Sequence, residues 1–193
     1  MHKLLMHDFV PRSSANGPGV RSVIWVQGCN LGCQGCINPA THVPLSADPT
    51  KQMSVDDILA MVPDDVEGIT LSGGEPLQQD LDSIYYLITQ AKARDLTVAM
   101  FTGYNVVELF TLSDAGTGIK IYSLCDLIIS GRYRRDLPPE DDTPLIASSN
   151  QTLLFPTERY SKKDLQDVPS LELIFDIENN RTIKTGVNKG VKK

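Results

Sequence analysis

Short apolar runs alternate along this chain with stretches of helical periodicity. Leu4 to Val10 predicts a first strand, and Pro11 to Gly19, rich in Ser, Asn, Gly and Pro, predicts a loop. Val20 to Val26 reads as a buried strand that feeds directly into a cysteine-bearing segment. Ser54 ahead of Val55, Asp56, Asp57, Ile58 and Leu59 marks a helix start with acids in its first turn, and Pro63 sits at or just past its end. Gly68 to Leu71 is a short strand. Leu77, Leu81, Ile84, Tyr85, Ile88 and Ala91 recur at helical spacing and predict an amphipathic helix from Leu77 to Arg94. Leu96 to Phe101 predicts a strand, Asn105 to Leu112 a helix, and Leu127 to Ile129 a further strand. Arg132 to Asp142, charged and rich in proline, reads as an exposed loop. Leu171 to Ile177, a turn at Glu178, Asn179 and Asn180, and Arg181 to Lys184 form a terminal β-hairpin pattern.

Strand and helix alternate with short connections, which is the signature of βα units around a parallel sheet. The expected fold is α/β: a partial (βα) barrel with a parallel sheet and a C-terminal β-hairpin, in one domain over residues 1–193. The chain is too short for eight βα units. Gly28, Ser72, Thr102 and Ser130 fall at the C-terminal ends of the expected strands. In parallel βα architectures that edge binds ligands.

Composition narrows the class. With 193 residues, 41% of them hydrophobic and 22% charged, the chain has the make-up of a globular domain. A net charge of −6 gives no electrostatic case for nucleic acid. No apolar stretch approaches a membrane span, and the first residues carry no export signal, so a cytoplasmic location is expected. The basic end, with Lys184, Lys189, Lys192 and Lys193, reads as a solvated terminus. In a reducing compartment, clustered cysteines favour metal or redox chemistry over disulfides.

Cys29, Cys33 and Cys36 follow the spacing C-x3-C-x2-C. Three thiolates can hold a 4Fe–4S cube with one iron left open, since such a cube ordinarily takes four cysteines. The competing reading is a structural zinc site completed by Cys125 or His42, although only one C-x2-C pair is present. Cys125, beside Asp126 at the start of an apolar strand, is more simply a core residue. His2, His7 and His42 have no ligand spacing and read as surface or loop residues. Ser72, Gly73, Gly74 and Glu75 form a turn whose two glycines let an amino-acid ligand approach the backbone, with Glu75 available to its ammonium. The bland alternative is a βα turn with Glu75 in a first helical turn. Asp56 with Asp57 and Asp141 with Asp142 read as helix-start and loop charges. No dinucleotide fingerprint, phosphate loop or nucleophile elbow is present, and no catalytic side chain is assigned.

The cysteine run together with Ser72 to Glu75 resembles the radical S-adenosylmethionine (SAM) superfamily. Within it the chain resembles the activating group of anaerobic ribonucleotide reductase and pyruvate formate-lyase. Asn16 to Arg21, Gln27 to Pro39, Phe101 to Tyr104, Asp126 to Gly131, Ser148 to Gln151, and Thr185 with Gly186 carry the likeness. Asn16, Gly35, His42, Ser130 and Ala147 depart from common residues of that pattern. The resemblance implies that Cys29, Cys33 and Cys36 hold a 4Fe–4S cluster whose fourth iron is chelated by SAM. It implies that Ser72, Gly73, Gly74 and Glu75 hold the methionyl amine, and that the backbone near Gly35 meets the adenine. It further implies reductive cleavage of SAM to a 5′-deoxyadenosyl radical, and transfer of a hydrogen atom from a glycine of a partner glycyl radical enzyme. A reduced flavodoxin or ferredoxin would supply the electron. A radical SAM enzyme acting on a small molecule or peptide, and a non-enzymatic zinc-stabilised binding module, are the alternatives.

Overall fold

The computed structural model describes residues 2–43, 49–112, 116–139, 143–177 and 179–187. Asp141, Asp142, Glu178, Lys189, Lys192 and Lys193, which carry some of the loop, turn and tail expectations, lie outside the described residues.

Strands β2 (Arg21–Val26), β4 (Gly68–Gly73), β5 (Thr97–Thr102) and β6 (Leu127–Ser130) run parallel and adjacent in chain order. Antiparallel strands flank them: β1 (Lys3–Ser13) and β3 (Gln52–Ser54) on one side, β7 (Thr152–Leu154) on the other. The seven-strand order β3-β1-β2-β4-β5-β6-β7 is open, and β8 (Glu172–Asp176) and β9 (Arg181–Thr185) form a separate antiparallel hairpin. The architecture is therefore mixed α/β, with a parallel centre and a C-terminal hairpin.

Strand periodicity sorts side chains onto two faces. Ile24, Ile69, Leu71, Val98, Met100 and Ile128 face one way. Helices α1 (Val55–Ala60), α2 (Leu81–Ala93), α3 (Val106–Thr111) and α4 (Thr117–Leu124) cover them with Ile58, Ile84, Leu87, Ile88, Leu109 and Ile121. The opposite face is covered in two places. Ala99, Leu127 and Ile129 pack beneath Leu145, Ile146, Leu165 and Val168, while Val10, Val23 and Trp25 pack against Ile174 and Ile183 of the hairpin.

Several boundaries differ from the sequence reading, each for a physical reason. β1 continues through Pro11 to Ser13, where a loop was expected. Its pairing with β2 shifts register between Val10 and Ser13, and β3 reaches only Lys3 to Leu5, so no ladder on that side asks for the N–H that Pro11 lacks. The helix expected from Leu77 begins at Leu81, because the Asp80 carboxylate accepts from the Ser83 N–H at 3.0 Å and so caps it there. Leu77 is buried instead within a 3-10 turn, Pro76–Gln78. β3, β7 and α4 were not anticipated. The two strands are three residues each, too short for visible alternation. α4 contains Gly118, a breaker by composition, but a Cβ there would lie 2.1 Å from the Leu109 carbonyl, so glycine is what lets α4 approach α3. Lys184 belongs to β9 rather than to a frayed tail.

Arg21 opens β2 and is fully buried. Its guanidinium donates to Thr70 Oγ1 at 2.9 Å, Thr97 Oγ1 at 2.8 Å, and the carbonyls of Pro18 at 3.1 Å, Ile69 at 2.6 Å and Thr97 at 3.1 Å. This pins the N-terminal ends of three parallel strands and leaves their C-terminal ends for chemistry.

Candidate cofactor site at the C-terminal strand edge

The cysteine segment leaves β2 and returns to its starting point. Gln27 N–H donates to the Leu5 carbonyl and Gly28 N–H to the Thr41 carbonyl, both at 2.8 Å, which closes residues 28 to 41 into a loop. Gln79 fastens the same junction, donating to the Gln27 carbonyl at 2.8 Å and accepting from the Leu5 N–H at 2.9 Å. The Gln27 amide reaches the Ala40 carbonyl at 3.2 Å, and its oxygen meets His7 Nδ1 at 2.7 Å. His7 thus lies in β1 as a support of this junction, not in a loop, while His2 stacks on Tyr86 with ring centroids 4.4 Å apart.

Cys29, Cys33 and Cys36 are free thiols, each partly exposed. They line one cavity of about 120 Å³ together with Ser72, Gly73, Gly74, Glu75, His42, Thr102 and Gly103. The described residues contain no group of three His, Cys, Asp or Glu side chains already arranged around a metal position. Burial pushes the Cys29 and Cys36 thiols above their ordinary pKa. Binding a soft metal centre would remove those protons. Three thiols at one cavity and no fourth is a donor set that fits an iron–sulfur cube with one open iron.

Cys125 lies elsewhere. It is wholly buried at the N-terminal end of β6, the opposite edge of the sheet, and burial raises its thiol pKa strongly. It cannot complete a zinc site with the loop cysteines, and its reading as a core residue stands. His42, read from the sequence as a surface or loop residue, lines the cysteine cavity.

Ser72 and Gly73 end β4, and Gly74 and Glu75 follow. Gly74 N–H donates to the Val26 carbonyl at 2.8 Å and Glu75 N–H to the Gly28 carbonyl at 2.9 Å. A Cβ on Gly74 would lie 2.3 Å from that Gly28 oxygen, and one on Gly73 would lie 2.7 Å from the Val26 oxygen. The paired glycines are thus required for β4 to hold the root of the cysteine loop, whatever ligand binds. Glu75 is only 1% exposed. Its Oε1 accepts from Leu77 N–H at 3.0 Å and the Thr102 hydroxyl at 2.7 Å, and its Oε2 accepts from Gly103 N–H at 2.7 Å. Burial pushes its pKa up to about 7 against the pull of these donors. The carboxyl group locks the turn after β4 to the turn after β5.

Gly35 lies in an adjoining cavity of about 730 Å³ between the cysteine loop and Arg132, Tyr133, Arg134, Arg135 and Asp136. Leu31, Cys33 and Tyr133 line both spaces. Gly35 adopts φ +74°, and the Arg135 stem lies over it, 3.1 Å from where a Cβ would stand. Ser130 donates to the Tyr104 carbonyl at 2.8 Å. Gln151 donates to the Gly131 carbonyl at 3.1 Å and lines the cysteine cavity. Tyr133 lacked any sequence signal of its own; Leu31, Gly103 and Gln151 were visible only inside the family-like runs.

Comparison with known proteins supplies the family. Residues 15–154 match the family model of the 4Fe-4S single cluster domain. The anaerobic ribonucleoside-triphosphate reductase-activating protein of Salmonella typhi is 33% identical over 156 residues, 76% of this chain and 96% of that protein. Its Escherichia coli K12 counterpart is 32% identical over 157 residues, with the same coverage of 76% and 96%. A Haemophilus influenzae protein named for activating glycyl-radical enzymes is 39% identical over 135 residues, 62% of this chain and half of that protein. The chain belongs to the radical SAM family of activating enzymes, whose members use a 4Fe–4S cluster and SAM. No helix among the described residues is long and apolar enough to cross a membrane.

Proposed function

We propose that this enzyme installs a glycyl radical on a partner enzyme of the anaerobic ribonucleotide reductase type. Cys29, Cys33 and Cys36 hold the cluster. Ser72, Gly73, Gly74 and Glu75 receive the methionyl amine of SAM, and the Gly35 backbone borders the adenine. The reading is carried by one observation: the three thiols and Ser72 to Glu75 line a single cavity at the C-terminal edge of the parallel strands. Glu75 Oε2 accepts one described hydrogen bond and has a second lone pair to offer an ammonium.

Held by Cys29, Cys33 and Cys36, the cluster would supply the electron for reductive cleavage of SAM and so the radical chemistry that removes a hydrogen atom from glycine. The chain's own part is to seat the loop, orient the amine and exclude water. No general base is needed, which suits a site whose buried carboxyl group is held by backbone and hydroxyl donors. The open sheet, read as a partial (βα) barrel, leaves Ser72 and Phe101 between the two segments that cover its helix-free face, and a partner's glycine loop enters there. The enzyme works in the cytoplasm, with reduced flavodoxin or ferredoxin as donor.

The test is EPR of the anaerobic mixture of reduced enzyme, SAM and a glycyl-radical reductase. A glycyl doublet on the partner is expected. SAM cleavage without a doublet would point instead to a small-molecule or peptide substrate.

A further inference from the structure

Residues 29 to 36 make few hydrogen bonds to the rest of the protein. Among the described residues, the long-range ones all run between Asn30 and Gln78. Asn30 N–H donates to Gln78 Oε1 at 3.0 Å, and Gln78 Nε2 donates to Asn30 Oδ1 at 2.6 Å. One side-chain amide thus reads both the backbone and the side chain of the residue after Cys29. Gln78 Nε2 also donates to the Tyr104 hydroxyl at 3.1 Å. Tyr104 is in turn covered by the Arg132 guanidinium, 5.6 Å from its ring centre, and Arg132 is held by Glu108 at 2.8 Å. Next along the loop, Leu31 packs onto Gly103, where a Cβ would lie 2.3 Å from Leu31 Cδ1. Gly103 is the residue whose N–H Glu75 holds.

The Cys29 to Cys33 turn is therefore seated on a platform made by the turns after β4 and β5. Its polar contact is Gln78 and its apolar contact is Gly103. Beyond the bonds that anchor Gly28 at its root, this partly exposed, glycine-bearing loop has little else to fix the first thiol relative to the strands.

We propose that Gln78 is a positioning residue for the cysteine loop, and that its amide clamp on Asn30 sets how firmly the loop retains its iron–sulfur cluster. The inference rests on the cluster assignment made above. Groups that orient metal ligands without touching the metal typically change retention by roughly ten- to a hundredfold when removed. Gln78→Leu keeps the side chain's bulk and removes all three hydrogen bonds. Gln78→Glu keeps an acceptor for Asn30 N–H, and a flipped Asn30 amide and the Tyr104 hydroxyl can donate to it.

The experiment is iron release from anaerobically reconstituted protein to an excess of chelator, followed by absorbance, with thermal unfolding of the metal-free form alongside. Gln78→Leu and Asn30→Ala should each lose iron roughly tenfold or more faster than the parent, and the double variant no faster than the worse single one. Gln78→Glu should recover most of the retention. A merely structural role would lower the melting temperature of the metal-free protein without changing the release rate. Equal release rates in parent and Gln78→Leu, or additive effects of the two substitutions, would overturn the proposal. Should the parent itself take up no iron, the cluster assignment fails first, and the two failures are thereby distinguished.

Discussion

Glutamine at position 75 isolates the electrostatic cost of the buried carboxyl group. Glu75 is closed to solvent, and burial raises its pKa from an ordinary 4.5 to about 7. A carboxyl group that binds its proton more tightly when folded supports stability fully below the unfolded value. That support is lost as pH rises through the folded value. The gap corresponds to about 3 kcal/mol, of which roughly 2–3 kcal/mol falls between about pH 5 and about pH 8. Gln does not titrate, so Glu75→Gln should lack this slope. It should also carry a nearly pH-independent cost of roughly 1–3 kcal/mol, because its NH₂ faces a donor where an acceptor stood. The assay is urea unfolding of both metal-free proteins across that pH range. The parent's stability advantage over the variant should shrink by roughly 2–3 kcal/mol from low to high pH. Parallel pH profiles would refute the picture of Glu75 as a desolvated clamp.

Three further substitutions test other joints of the account. Gly74→Ala sets a Cβ 2.3 Å from a backbone oxygen that cannot swing away, so it should cost roughly 2 kcal/mol or more in thermal unfolding and lower iron uptake; unchanged values for both would contradict the close β2–β4 contact. Arg21→Met strips a donor from the Pro18, Ile69 and Thr97 carbonyls and should destabilise by roughly 3 kcal/mol in urea, yet leave iron stoichiometry intact because the site is at the other strand ends; loss of iron binding in a folded variant would count against that separation. Cys125→Ala should cost about 1 kcal/mol from a small core void and retain full iron and sulfide content; a loss of iron would reinstate Cys125 as a ligand.

The parallel centre was legible because β2, β4, β5 and β6 are largely buried, and so appear as short apolar-bearing segments set between helical patterns. Their C-terminal ends, and hence the location of the site, followed from that. The three-residue strands β3 and β7 were not legible, since their place is set by pairing with β1 and β6 rather than by pattern. Of the site, the three cysteines and Ser72 to Glu75 stood out in sequence. Their place at one strand edge was expected too; the backbone contacts that join them were not, because they depend on how β4 meets the loop leaving β2. The part played by Glu75 was only half visible: its availability to a ligand was expected, but not its grip on Thr102 and Gly103, residues 27 and 28 positions away. Gln78 and Asn30, 48 positions apart, were likewise brought together only by the fold.

The central claim is that Cys29, Cys33 and Cys36 hold an iron–sulfur cube whose remaining iron takes SAM. Iron and sulfide analysis of anaerobically reconstituted protein, with EPR of the reduced form before and after SAM addition, tests it most directly. The account predicts about four irons and four sulfides per chain, a reduced-cluster signal that SAM changes, and neither in Cys33→Ala. Protein devoid of iron and sulfide, or a Cys33→Ala variant indistinguishable from the parent, would contradict it.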